Sequence, residues 1–129
     1  MVALTAARNT PQALDGKRRI PVATNVKIFQ GSLVQINNAG FAVPGSATAA
    51  NVAIGRAEEP ADNTGGANGA ISVDVRRGIF RFANSAAEIG KTVYVVDDQT
   101  VAKTNNAGAR PAAGICYDVD AQGVWVEFQ

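Results

Sequence analysis

Apolar residues recur at alternate positions along most of this chain, in short runs cut by Gly, Asn and Asp. The cleanest run is Ala70-Ile71-Ser72-Val73-Asp74-Val75-Arg76-Arg77, with Ile71, Val73 and Val75 on one side and Ser72, Asp74 and Arg76 on the other. One apolar side at a period of two is the pattern of a half-buried antiparallel strand, because successive side chains point to opposite faces. The stretch Gly78–Val101 reads as strand, small-residue loop, strand, tight turn, strand. Its strands are Ile79–Phe82, Thr92–Val96 and the run from Thr100 to Ala102, with Asp97-Asp98 as the turn. Aspartate favours such turns because its carboxylate accepts from nearby backbone N–H groups. Upstream, Val26–Phe29 and Ser32–Ile36 are predicted strands. Asn37-Asn38-Ala39-Gly40 turns the second of these into Phe41-Ala42-Val43, since Asn and Gly tolerate positive φ. In the predicted strand Val52–Ala57, Gly55 would permit a bulge or a sharp bend. Ala112–Val119 is a Gly-kinked strand that Ala121-Gln122-Gly123 turns into Val124–Phe128.

No segment carries an amphipathic helical pattern of three turns. The prediction is therefore an all-β fold, a small antiparallel β-barrel or sandwich of short hairpins. At most one short helix is expected, near 84–89, where Asn84 or Ser85 could cap it. No repeat of fixed period is evident. Residues 1–24 have neither periodicity, and Pro11 and Pro21 interrupt any regular element there. They are read as an extended N-terminal arm ahead of a single β domain at 25–129. Such an arm is either a loose tail or a segment that orders against a neighbouring subunit or a larger surface. Glu58–Gly69 and Lys103–Pro111 are predicted polar loops. A loop as long as the first is either functional or mobile.

Composition narrows the function. With aromatic residues at 6% of 129, the core must be aliphatic. Charged residues are only 18%, which fits a surface partly hidden in an assembly, or a plain monomer rich in Ala and Gly. The net charge of +1 gives no global electrostatic case for nucleic acid or an anionic membrane, and neither is expected as a partner. The absence of His removes the commonest general base and metal ligand. The single cysteine, Cys116, excludes an internal disulfide and is expected to be a small buried strand residue. No enzyme activity, metal or cofactor is expected. The N-terminal stretch lacks the apolar run of a signal peptide, and no run of about 18 apolar residues could span a membrane. The expectation is a protein made and used in a cytoplasmic compartment.

The candidate chemistry is thin. Asp118-Val119-Asp120-Ala121-Gln122-Gly123 imitates the front of a calcium loop. The position of the closing acidic ligand, however, falls on Gln129, and the flanks are strands, so it reads as a hairpin end. Gly65-Gly66-Ala67-Asn68-Gly69 lacks the Lys-Ser/Thr of a phosphate loop. Asp97-Asp98 reads as a solvated turn. No motif supports a Ser–Lys dyad of Ser32 with Lys27 or Lys17. Two basic clusters remain, Lys17-Arg18-Arg19 and Arg76-Arg77. They are too short for firm binding to phosphates and lack interleaved aromatics for base stacking. They are either solvated runs or contacts for acidic patches on a protein partner, where arginine pairs well with carboxylates. Trp125, the sole tryptophan, is expected in the core or in a subunit interface.

Gly78-Ile79-Phe80, Gly90 with Val93-Tyr94, Asp97, Val101, and a Gly114 strand closing on Val124-Trp125-Val126 resemble a family of small tailed-phage and prophage head proteins. The runs RRGIFRFANS…GKTVYVVDDQTVAKT and DVDAQGVWVEF carry the likeness, which extends over about residues 15 to 129. Its motifs are turn glycines and core β positions. Members are generally regarded as capsid decoration, or cement, proteins, and some have carried a misleading recombinase label. The resemblance implies a non-enzymatic virion protein, made in the host cytoplasm, that binds the major capsid protein on the outer face of the head shell and stabilises it. It implies a homotrimer, with a dimer as second choice. The arm, with Lys17, Arg18 and Arg19 at its base, would supply part of the contact. The other open readings are a tail-associated or host-directed protein-binding module, and a minor enzyme using Ser, Lys or Asp.

Overall fold

The alternating runs become strands. A computed structural model describes residues 2–11, 16–83 and 87–128. Its strands are β1 (Lys17–Pro21), β2 (Lys27–Ile28), β3 (Leu33–Ile36), β4 (Ala42–Pro44), β5 (Val52–Ala57), β6 (Ala61–Asp62), β7 (Ser72–Arg76), β8 (Ile79–Phe82), β9 (Thr92–Val95), β10 (Val101–Ala102), β11 (Ala112–Asp120) and β12 (Gly123–Glu127). The fold is all-β, as the patterning predicts. Among the described residues there is no helix. The helix expected near 84–89 falls partly on 84–86, outside the described residues, and 87–89 are not helical. Residues 17–21, placed by sequence in the arm, are instead the sheet strand β1, paired antiparallel with β7. Ahead of it, residues 2–11 are exposed and form neither strand nor helix.

Two five-stranded antiparallel sheets carry the architecture, in the orders β1-β7-β5-β3-β4 and β10-β9-β11-β12-β8, with β2 and β6 as a small third sheet. Neither sheet closes into a barrel. Each curls until its two edges meet at one parallel bridge, Val22–Ala42 in the first and Ala83–Thr100 in the second. Each wraps its own core. The first core holds Ile20, Val22, Val34, Ala42, Ile54, Ala57, Val73 and Val75, and is completed by Ile28 of β2 and Ala61 of β6. The second holds Phe82, Val93, Val95, Val101, Ala113, Cys116, Val124, Val126 and Phe128, and is completed by Leu33, which β3 of the first sheet sends into it. Alternation along β3 does this: Val34 faces the first core, and Leu33, one residue away, faces the second.

The two sheets are the same motif in the same chain order, a repeat that the sequence does not reveal. Each runs edge strand, last strand, fourth strand, second strand, third strand. The registers match residue for residue. Arg18 faces Val75, and Phe80 faces Val126. Ile36 faces Ala42, and Val95 faces Val101. The second and fourth strands even share a bulge: Val34–Gly55 is followed by Gln35–Ala53, and Val93–Gly114 by Tyr94–Ala112. Gly31 and Gly90 both adopt positive φ, 86° and 85°. Their N–H groups donate to Ala57 O at 3.0 Å and Cys116 O at 2.9 Å. Residues 16–77 and the described residues of 78–128 are thus two copies of one five-stranded unit, stacked so that a side chain of the first stoppers the second.

Candidate functional site

Pairing of β1 with β7 brings the two basic clusters together. Lys17 lies opposite Arg76 and Arg19 opposite Asp74. On the far side of β7, Arg56 of β5 lies opposite Arg76. The result is a cross-strand ladder of Lys17, Arg76 and Arg56 with Arg19 beside it, on the outward face of the first sheet. Three carboxylates thread it. Asp74 accepts from Arg19 at 3.1 Å and pairs with Lys17 at 4.0 Å. Glu59 pairs with Arg19 at 3.4 Å and also accepts from the Asp74 N–H. Glu58 pairs with Arg56, and with Arg76 at 3.3 Å. The Arg56 hydrogen bond, with Arg76 adding to it, holds the Glu58 carboxyl below the usual glutamate range.

Of the five residues that sequence nominated, Lys17, Arg19 and Arg76 join this ladder. Arg18 lies on the opposite side of β1, in phase with the core residue Ile20, and Arg77 follows the end of β7 with an exposed side chain. Neither makes an ion pair among the described residues. Arg56 was missed because simple alternation puts it on the same side as the core residue Ile54, and only the bulge at Gly55 turns it outward while Ala57 returns to the core. Its guanidinium also lies 4.2 Å from the Phe80 ring centroid, at the junction of the two repeats. Exposed ion pairs of this kind are each worth at most about 1 kcal/mol. Of the ladder, Arg19 with Glu59 is such a pair, whereas Glu58 is held in a part-buried pair by Arg56 and Arg76.

The other candidates are occupied by local structure. Asp120 receives the N–H groups of Gln122 and Gly123 at 2.8 and 3.0 Å, and the Trp125 indole N–H at 2.9 Å. The indole bond, ahead of the backbone bonds, lowers the Asp120 pKa. Trp125 is not in the buried core: it is half-buried on the outward face of the second sheet, with the Arg81 guanidinium 5.5 Å from its ring. Asp118 accepts from the Val119 N–H, and Asp97 from the Gln99 N–H. Among the described residues no three His, Cys, Asp or Glu side chains cluster to hold a metal ion. The Ser32 hydroxyl donates to Phe29 O at 2.8 Å, while the Lys27 ammonium lies over the Phe29 ring. Cys116 is buried, and burial, with Asp118 nearby, pushes its thiol pKa up. Grooves among the described residues include one lined by Phe29, Gln30, Ser32 and Asp98 and another by Glu88, Lys91, Tyr94 and Lys103. No described helix is long and apolar enough to cross a membrane.

The arrangement defines a class, a rigid two-unit β body with an outward charged ladder. Comparison of the chain with protein-family models, with curated proteins and with solved structures gives no match.

Proposed function

We propose that this chain is a capsid decoration protein of a tailed phage or prophage, binding the major capsid protein on the outer face of the head shell and stabilising it without catalysis. It acts as a homotrimer, a dimer being second choice, and resides on the virion after synthesis in the host cytoplasm. The observation that supports the reading is the ladder of Lys17, Arg19, Arg56 and Arg76, cations in fixed register of which Lys17 and Arg19 are exposed and Arg56 and Arg76 half-buried. The likeness to head proteins, over about residues 15 to 129, directs it to a shell. Weak contacts repeated over many copies are sufficient for such a role, because multivalency multiplies them and binding to the assembled state stabilises it.

The test is to mix purified protein with undecorated shells and sediment them. The wild type is expected to co-sediment to saturation. The double variant Lys17→Glu, Arg19→Glu, which reverses the two exposed cations of the ladder, and a chain lacking residues 2–11 are expected to saturate at lower occupancy. The truncation spares β1 and Ile20, which belong to the folded body. Wild-type protein that stays in the supernatant at every concentration would overturn the reading.

A further inference from the structure

One gap is filled in the first repeat and open in the second. Along β9, the Lys91 carbonyl accepts from the Cys116 N–H at 2.8 Å and the Val95 N–H donates to Pro111 O at 2.9 Å, both toward β11. Backbone groups alternate in direction along a strand, so the N–H and carbonyl of Thr92 face the β10 side. Pairing with β10 ends at Tyr94–Ala102 and does not reach them. In the first repeat the same place is closed. The β3–β4 pairing runs one residue further, to Val34–Pro44. Leu33, the counterpart of Thr92, is bonded through both groups: its carbonyl accepts from the Gly45 N–H and its N–H donates to Asp98 O, each at 2.8 Å. Asp98 belongs to the β9–β10 turn of the other repeat, and Asp97 beside it makes an antiparallel bridge to Ser46. Where this gap is filled, then, it holds an acidic β-turn.

The open gap is a groove of about 410 Å³ lined by Glu88, Lys91, Thr92, Tyr94, Lys103 and Thr104. Past Ala102 the chain no longer pairs with β9, which leaves room beside Thr104; at Gly45, its counterpart, an added Cβ would fall 2.9 Å from Asp97 O. Two positions of the groove have become cationic. By register Lys91 stands where the first repeat has Ser32, and Lys103 where it has Pro44. Both lysines are exposed. Lys103 pairs at 3.8 Å with the exposed Glu88, a contact worth at most about 1 kcal/mol. Lys91 makes no ion pair among the described residues.

We propose that this groove docks an acidic β-turn of a partner protein. The turn's main chain bonds to Thr92 as Asp98 bonds to Leu33, and its carboxylates lie between Lys91 and Lys103. Strand edges with open N–H and carbonyl groups recruit main chain in this way, and the flanking side chains select among sequences. A second copy of the chain is a poor occupant. Its acidic turn already closes its own first repeat, and the counterpart turn left exposed, Asn37-Asn38-Ala39-Gly40, is neutral, with the Asn37 side-chain oxygen held by the Ala39 and Phe41 N–H groups at 3.0 Å. The inference does not rest on the capsid reading, since any protein that presents such a turn qualifies.

The test uses the full-length chain and a labelled hairpin peptide with the sequence of residues 92–102, which carries the Asp-Asp turn. A terminal disulfide closes the peptide, because an open hairpin is marginally stable alone. A second peptide has Asp97→Asn and Asp98→Asn. Fluorescence anisotropy is expected to find one saturable site per chain for the acidic hairpin and binding about 10-fold weaker for the neutral one. Lys91→Glu with Lys103→Glu is expected to weaken the acidic hairpin about 10-fold, with an unchanged β circular dichroism spectrum. Lys17→Glu with Arg19→Glu, an equal change of charge on the first repeat, is expected to leave it unchanged. Amide NMR shifts are expected at Thr92 and Thr104. No saturable binding below about 1 mM, equal affinity for the two hairpins, or equal losses in the two double variants overturns the inference. Hairpin binding by a chain that ignores shells keeps the inference and removes the capsid reading. A chain that coats shells and binds no hairpin does the reverse.

Discussion

Replacing Leu33 with Ala tests the stacking of the two repeats directly. Leu33 is fully buried in the second core although its strand belongs to the first sheet. Deleting three buried carbons forfeits about 2.4 kcal/mol of transfer free energy at about 0.8 per methylene. The cavity adds to this, because β3 cannot slide inward to fill it. The Leu33 N–H donates to Asp98 O and its carbonyl accepts from the Gly45 N–H, each at 2.8 Å, so the backbone is fixed on both sides. The total expected is about 3–4 kcal/mol, within the usual range for buried Leu→Ala. For a chain of this size that lowers the midpoint of thermal unfolding by about 10 °C. Thr92, at the equivalent position of the second repeat, is half-buried on an outer face, and Thr92→Ala should cost under about 1 kcal/mol. Urea unfolding followed by the fluorescence of the single Trp125 measures both, under conditions where the oligomeric state is the same. A Leu33→Ala cost below about 1 kcal/mol, or equal costs at the two positions, would refute the stoppered stack.

Gly55 and Gly114 hold one position in the two repeats, and an added Cβ at either would fall on the carbonyl of the last strand, that of Arg76 and Glu127 respectively. Either one changed to Ala should cost more than about 2 kcal/mol, with Gly55→Ala the worse because its φ is 147°; two silent substitutions in a thermal melt would contradict the shared geometry. Gln35 is fully buried, bonded to the Ser46 N–H and carbonyl at 3.0 Å and to the Asn51 amide at 3.1 Å. Gln35→Leu strands those groups and should cost about 2–3 kcal/mol by chemical denaturation, whereas a neutral result would mean the groups find other partners. The Asp120 pKa is depressed in the folded state, so the stability it contributes is complete above the unfolded carboxyl's pKa and is lost as pH falls through the lower folded value. Trp125→Phe removes the first cause and should move the Asp120 titration, read by carboxyl carbon NMR, upward; an unmoved titration would remove the indole from the account.

The elements that were legible in sequence are those that bury one side. β7 and β9 alternate cleanly because Val73, Val75, Val93 and Val95 face cores while their neighbours face out. β1 was illegible because only Ile20 of its residues is buried, and one apolar residue carries no period. The long loop after β5, expected to be functional or mobile, is pinned by hydrogen bonds. Asn63, buried, donates to Ala23 O and Ala67 O at 2.8 and 3.0 Å, and Thr24 takes the Asn68 side-chain oxygen at 2.7 Å. Local pattern cannot encode such bonds between distant segments. The repeat hid for a related reason. Gly31-Ser32-Leu33-Val34 and Gly90-Lys91-Thr92-Val93 share the turn glycine and the inward Val, while their outward positions have diverged with what covers them. The connection at 58–71 in the first unit is a tight turn at Ala121-Gln122 in the second, which destroys any fixed period. The site suffered likewise: each basic cluster was visible, but their junction is a matter of β1–β7 register, and Arg56 entered only through β5.

One lattice of outward positions therefore carries two kinds of surface, a charged ladder on the first repeat and a mixed face with Ile79, Ile115 and Trp125 on the second. Contacts made by exposed cations act through a screening length of about 8 Å at physiological salt and about 3 Å at 1 M. Contacts made by apolar side chains depend on buried area, which salt does not weaken. If the ladder meets an acidic surface and copies of the chain associate through apolar area, raising salt to 1 M should release the protein from its partner surface and leave the oligomer whole. Sedimentation in low and high salt, with and without that surface, separates the two. Loss of the oligomer at high salt alongside undiminished attachment would invert the assignment, placing charge between copies and apolar area on the partner.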